Sequence, residues 1–431
     1  MKKVSIYGTD EVIYVDKCDN GLEIYMYVNE KVKNFYATLN VKYGAAHTEF
    51  MVDEKRGVVK VPHGIAHFLE HLKFNLPNKR SANEFFGKLG SSINAATSHD
   101  FTAYEVFASC YFRENIEHLL NYVQTNYFTK GLVEKEKGII IEEIKMYDDT
   151  PGAVLYSKMN ECLYLKDNRR FLISGVISDV KKTSVEHMRD VYDTFYHPEN
   201  MFIILTGNFN PEEAVAIIKE NQSGKKFPKY LNPVIVSEEE PIEVAKEFLE
   251  VFLNIEIPKV KVSFKMDRNN FKNLVDLELK VYLNIILGAM FGPTSELKEE
   301  LLKKALISGD IATNATVRNN YVVLSVVVET NYPKEIVKII KETMEKLSIT
   351  KETIERRKKV NQAITIVRYD DIGAINGDIQ DEIILYGGLI TDFIKLIKNI
   401  NIETAEKIRK KIQCDNYSIV VMYPLEKEEI N

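Results

Sequence analysis

The sequence predicts an α+β protein built from two similar modules, and three observations carry that prediction. Strand-like stretches with a period of two alternate with helical stretches along the 431-residue chain. The order of these stretches in the first half recurs, more weakly, in the second. Between the halves lies "QSGKKFPKYLNPVIVSEEEP", whose glycine and proline breaks and mixed charge mark a linker. The expected division is a first domain over residues 1–220, a linker over 221–245 and a second domain over 246–431.

Taken in order, "NGLEIYMYVNE" opens on the turn pair Asn20-Gly21, and "NFYATLNVKYGAAH" sets Ala37, Leu39, Val41 and Tyr43 on one side; both read as strands. After Pro62, "HGIAHFLEHLKF" repeats Ile65, Phe68, Leu69 and Leu72 at helical spacing, which predicts a helix with one apolar face. "SANEFFGKLG" reads as a short helix with Ser81 as N-cap, Glu84 completing a capping box and Gly90 as its stop. "INAATSHDFTAYEVFAS" has the threonine and aromatic content of a strand or hairpin. "ENIEHLLNYVQTNY" predicts a helix, and so does "VEKEKGIIIEEIKMYDD", where charged flanks and the stripe of Ile140, Ile144 and Tyr147 outweigh the strand propensity of three consecutive isoleucines. "MFIILTGNF" is a buried strand, followed by the helical "PEEAVAIIKEN".

The second half begins with the strand "VKVSFKM" and the helices "LVDLELKVYLNIILGAMFG" and "TSELKEELLKKAL". It continues with the strand "YVVLSVVVET", the helix "PKEIVKIIKETMEKL" and the strand "YSIVVMYP".

A hydrophobic content of 45% with 28% charged residues is that of a soluble globular chain. The net charge of −6, with basic and acidic residues interleaved, argues against nucleic acid as a partner. Cys18, Cys110, Cys162 and Cys414 are scattered without C-x-x-C spacing, which argues against a disulfide framework or a zinc ribbon and for reduced thiols. "MKKVSIYGTDEVIYVD" lacks the apolar core of a signal peptide, and no run approaches the roughly 18 apolar residues of a membrane span. A cytoplasmic protein with no membrane partner is the expectation.

The chemistry concentrates in "HFLEH". On a helix, His67 and His71 share a face, so their imidazoles can aim at one point, a geometry that suits zinc. Glu70 sits on the flank of that face, placed to take a proton from the attacking water rather than to bind the metal. The plainer alternative is that these residues decorate the exposed side of an amphipathic helix, but the motif in its context favours the metal site. His63 lies four residues before His67, but Pro62 puts it at the helix start. A catalytic zinc site needs a third ligand. His47, His99, His118, His187 and His197 are isolated from other ligand spacing, whereas Glu136 and Glu143 lie two helical turns apart on one face of a carboxylate-dense helix.

With these residues in place the chain resembles the pitrilysin and insulinase family of inverzincin metallopeptidases, in which H-x-x-E-H is followed by a glutamate-bearing helix. The separation here, about seventy residues, is slightly shorter than the family's usual one. "GIAHFLEHLKF", "INAATSHDFTAYEV", "VEKEKGIIIEEIKMYDDTP" and "YHPENMFIILTGNF" follow the family's order, so the resemblance covers most of residues 20–210; beyond that it rests on the pattern of elements and "LGAMFG".

The resemblance implies two similar domains, each a mostly antiparallel sheet with helices on one face, and one Zn2+ per chain. It implies His67, His71 and Glu143 as ligands, Glu70 as general base and Glu136 as a supporting acid, with Glu142 the alternative to Glu143 if the helix register shifts by one. "INAATS" is similar to the family's edge strand that pairs with substrate backbone, which makes Asn94 and Ala95 substrate-binding candidates, although asparagine is also common in turns.

The implied activity is zinc-dependent endopeptidase cleavage of short or unfolded peptides. The rivals are a dedicated maturation protease for one precursor and a non-catalytic assembly subunit. Active family members also use an arginine and a tyrosine seven positions apart in the zinc-free half. Here "TSELKEELLKKALISGD" has Lys298 but neither residue, and Arg318 and Tyr321 lie further along and closer together. The resemblance therefore implies a homologous zinc-free partner subunit that completes the site in a heterodimer, with a homodimer as the alternative.

Overall fold

The computed structural model describes residues 1–77, 80–346 and 348–425. It divides into two compact units. One comprises Met1–Ile144, Leu172–Ser237 and Thr365–Phe393; the other comprises Lys145–Phe171, Glu238–Ile364 and the chain from Ile394. The chain leaves the first unit after Ser237, inside the expected 221–245 linker, but it also changes unit after 144, 171, 364 and 393. Neither unit is therefore a contiguous half of the sequence.

The first unit is built on a seven-stranded sheet, with strands in the order Lys2–Ser5, Val12–Lys17, Glu23–Val28, Met201–Gly207, Phe35–Val41, Thr102–Ala108 and Ser92–Thr97. Every neighbouring pair is antiparallel except Glu23–Val28 with Met201–Gly207. The period of two works out physically: Phe35, Ala37, Leu39 and Val41 enter the main core together with Met201, Ile203 and Leu205. Helices Ile65–Lys73, Phe112–Val123, Lys130–Asp148 and Pro211–Ser223 bury their apolar stripes in that same core.

The opposite face of the sheet is covered as well. Tyr25, Tyr27, Phe202 and Ile204 point there, and Ile375, Ile379 and Ile383 of the helix Ile372–Tyr386 bury them. Thr38 Oγ1 donates to Asn376 Oδ1 at 2.8 Å, and Thr206 Oγ1 to the Ile372 carbonyl at 2.8 Å, so the polar strand residues on this face keep partners. The resemblance placed helices on one face; a segment from far along the sequence supplies one for the other.

The second unit carries a five-stranded sheet in the order Phe248–Leu253, Tyr417–Pro424, Lys259–Asp267, Tyr321–Glu329 and Ala312–Val317. Its path matches five strands of the first sheet one for one. In both, the first and last strands of the set pair in parallel and all other neighbours are antiparallel. This repeated path carries the duplicated α+β architecture that the order of elements predicted. Helix Asp276–Phe291 packs against Ala312–Val317, and helix Pro151–Leu163 covers the other face with Leu155, Met159 and Cys162 against Tyr321, Val323, Val420 and Met422. Helix Pro333–Glu345 forms as expected; Leu347, the end of that stretch, lies outside the described residues.

One local expectation is corrected. Ser81 caps the helix Ala82–Lys88, but its hydroxyl accepts from the Asn83 amide, and Glu84 pairs with Lys88 at 2.7 Å instead of closing a capping box.

Candidate metal centre

The helix Ile65–Lys73 is anchored by Ile65, Phe68, Leu69 and Leu72, each at most 1% exposed. Full burial of such side chains contributes roughly 1.5–3 kcal/mol apiece. Its far end is held by Lys73, whose buried ammonium lies over the ring of Tyr192 at 4.1 Å and donates to the Thr125 carbonyl. Its near end depends on Gly64, at φ +84°, where a Cβ would lie 2.3 Å from the Ser174 carbonyl oxygen.

Anchoring one side of this helix turns His67, Glu70 and His71 to the other. That side is not solvated: His67 is 8% and Glu70 7% exposed, because the edge strand Ser92–Thr97 and the helix Lys130–Asp148 lie over it. The latter helix buries Val133, Ile140 and Ile144 in the common core, which aims Glu136 and Glu143 at the histidines. Glu142 is exposed, and the carboxylate that lies beside the two histidines is that of Glu143.

His67 Nε2 lies 3.4 Å from Glu143 Oε1, and His71 Nε2 lies 3.3 Å from Glu143 Oε2. One donor atom from each of the three residues falls within 4.8 Å of the others, and this is the one such group of three or more ligand-type residues among the described residues. The donor set fits zinc: ligands about 2.0–2.1 Å from a tetrahedral centre are separated by roughly 3.3–3.4 Å, close to the spacings found. His71 Nδ1 lies 2.9 Å from Glu136 Oε1. Since an ionised carboxylate only accepts, Nδ1 carries a proton on this side, while Nε2 faces Glu143. Burial opposes charge on His71, but hydrogen bonds to Glu136 and Glu143 outweigh it, and the imidazole is pushed up to about 10. The same hydrogen bonds from His67 and His71 hold Glu143 well below the usual carboxylate range.

Glu70 stands apart from the ligand set, and its Oε2 accepts from Thr97 Oγ1 at 2.7 Å. Thr97 closes the edge strand; reading "INAATS" as a substrate strand passed over it, because no spacing rule ties a strand residue to a helix about thirty positions away. Asn94 on this strand is exposed and Ala95 half-buried, and among the described residues the strand pairs on one side only, with Thr102–Ala108. The remaining histidines stay outside the cluster. His63 Nδ1 lies 2.7 Å from Asp179 Oδ2, His118 stacks on Phe85, and His197 Nε2 donates to the Pro228 carbonyl.

In the second unit, Lys298 is ion-paired with Asp310, and Tyr321 is buried and donates to Asp167 Oδ2 at 2.8 Å. Neither is a free substitute for the family's arginine and tyrosine.

Comparison with known proteins matches residues 60–169 to the family model described as Insulinase (Peptidase family M16), and residues 182–361 to that of the peptidase M16 inactive domain. The uncharacterized zinc protease YmfH of Bacillus subtilis (strain 168) is 31% identical over 439 residues, spanning 98% of this chain and 99% of its own. Among solved structures, an M16-like peptidase from Alicyclobacillus acidocaldarius superposes with a TM-score of 0.89 at 26% identity, covering 97% of this chain and 99% of its own. The periplasmic protease PqqL from Escherichia coli shares the fold alone, with a TM-score of 0.72 at 17% identity over 98% of this chain and 50% of that one.

Proposed function

Because this chain belongs to peptidase family M16, we propose that it is a zinc-dependent endopeptidase for short or unfolded peptides, with His67, His71 and Glu143 as the ligand set and Glu70 as general base. The observation that carries this reading is the convergence of two imidazole nitrogens and a carboxylate oxygen within 4.8 Å, beside a buried carboxylate outside the set. Zinc, when bound, polarises the scissile carbonyl and acidifies the water that attacks it. Glu70 takes that water's proton and returns it to the leaving amine. Glu136 holds His71 in the tautomer that leaves Nε2 free to ligate. The open side of Ser92–Thr97 receives the peptide as an added strand, with main-chain hydrogen bonds for affinity and side chains such as Asn94 and Ala95 beside it.

A homologous zinc-free chain that supplies the missing arginine and tyrosine completes the substrate site in this reading. Its support is the engagement of Lys298 and Tyr321 elsewhere, together with a match that spans half of the PqqL chain. A second copy of this chain is the other candidate partner.

The test is to purify the chain, measure bound zinc and assay peptide cleavage with and without a zinc-free homologue. Glu70→Gln should keep zinc and lose cleavage; Glu143→Gln should lose zinc, and Glu142→Gln should lose neither. Loss of zinc from Glu70→Gln would overturn the assignment of roles, and robust cleavage by the single chain would overturn the need for a partner.

A further inference from the structure

We propose that Thr97 is a positioning residue for Glu70, and that the strand which grips the peptide thereby also aims the base; this rests on the peptidase reading above. Thr97 Oγ1 donates to Glu70 Oε2 at 2.7 Å, and among the described residues this is the hydrogen bond that the Glu70 carboxylate makes. A glutamate carboxylate turns freely about its last torsion. With Oε2 held by the hydroxyl, the plane of the group is set and Oε1 is left to accept a proton.

The hydroxyl can do this because its backbone is clamped. Thr97 pairs with Thr102 across the turn 98–101, where the Ser98 amide donates to the Phe101 carbonyl at 2.8 Å. That turn is fastened to the loop after strand Phe35–Val41: the Ala45 amide donates to the Ser98 carbonyl at 2.9 Å, and the Ala46 amide to the His99 carbonyl at 3.0 Å. Thr102 Oγ1 donates to the Tyr43 carbonyl at 2.9 Å. Gly44 makes the approach possible, since a Cβ there would lie 2.5 Å from backbone atoms of Ser98, His99 and Phe101. Thr97 is thus held from behind, while among the described residues no strand pairs with the other side of its strand. Register between peptide and base is set within one strand, which limits the sub-ångström drift that degrades near-attack geometry.

Thr97→Val keeps the shape and removes the hydroxyl, and Thr97→Ser restores the hydroxyl. In the zinc-loaded chain with its partner, Thr97→Val should lower kcat about 10- to 100-fold with KM within about twofold of the parent and zinc content unchanged. Thr97→Ser should recover most of kcat. Crystal structures of both zinc-loaded variants supply a readout independent of turnover: the Glu70 carboxylate should keep its place in Thr97→Ser and rotate or split in Thr97→Val. The proposal is overturned if Thr97→Val leaves kcat and the carboxylate unchanged, if it loses zinc, or if Thr97→Ser falls as far as Thr97→Val. If Thr97→Val does not fold, Thr97→Ala takes its place in the same comparison. If the parent cleaves no peptide the peptidase reading fails, and the carboxylate positions still decide whether Thr97 positions Glu70.

Discussion

His71 Nδ1 lies 2.9 Å from Glu136 Oε1, with Glu136 only 8% exposed. The carboxylate orients the ring and raises the basicity of its other nitrogen. Glu136→Gln retains an oxygen that can accept from Nδ1 and loses the charge. Zinc affinity should fall about 10- to 100-fold, as read by competition with a chromogenic chelator, while the far-UV spectrum stays unchanged. Unaltered affinity would show that Glu136 is a structural hydrogen-bond partner only.

Zinc loading should expel a proton. In the metal-free chain His71 is pushed up to about 10 from an ordinary value of 6.5, so at pH 8 it is charged. Its pairing with Glu136 and Glu143 stabilises the metal-free fold fully below about 6.5, and that contribution is lost as pH rises through about 10. The metal needs a neutral imidazole. Titration calorimetry at pH 8 in buffers of different ionisation enthalpy should give close to one proton released per zinc; no buffer dependence would contradict the charged state.

Gly64 and Gly138 should respond oppositely to alanine. At Gly64 the positive φ and the Ser174 carbonyl 2.3 Å from a Cβ leave no room, so Gly64→Ala should destabilise by about 1–3 kcal/mol and weaken zinc binding by shifting the start of the histidine helix. At Gly138, inside the helix Lys130–Asp148, nothing lies within 4 Å of a Cβ, and Gly138→Ala should stabilise by about 0.5–1 kcal/mol. Urea unfolding with zinc titration checks both.

Glu382 offers a test of stability against pH. Burial pushes its carboxyl up to about 7 despite the hydrogen bond accepted from the Ile390 amide, and Asp378 and Asp381 push the same way. A raised carboxyl stabilises the fold below its ordinary value of 4.5 and loses that contribution as pH rises through about 7. Glu382→Gln keeps the acceptor for Ile390 and removes the buried charge. It should gain about 1–3 kcal/mol over the parent at pH 8 and much less at pH 5. Thermal melts at the two pH values decide, and a constant gap would mean that Glu382 does not titrate in that range.

The helix Ile65–Lys73, the helix carrying Glu136 and Glu143 and the strands Phe35–Val41 and Met201–Gly207 were legible because each is amphipathic at its own period. The helix Ile372–Tyr386 was not read, although Ile375, Ile379 and Ile383 recur at helical spacing. Its place on a sheet formed by residues below 210 is a long-range pairing that no local pattern encodes. Helix Pro151–Leu163, which packs in the unit opposite to its neighbours in sequence, escaped for the same reason.

For the site, the chain alone specified which side chains lie on one helical face: His67 with His71, and Glu136 with Glu143. Folding decided which faces meet. That Glu143 rather than Glu142 lies beside the histidines, that His71 Nδ1 meets Glu136 and that Thr97 holds Glu70 all depend on distances between elements separated by about 27 to 76 residues. Periodicity reports the direction of a side chain relative to its own helix or strand; packing in the shared core brings two such directions to one point.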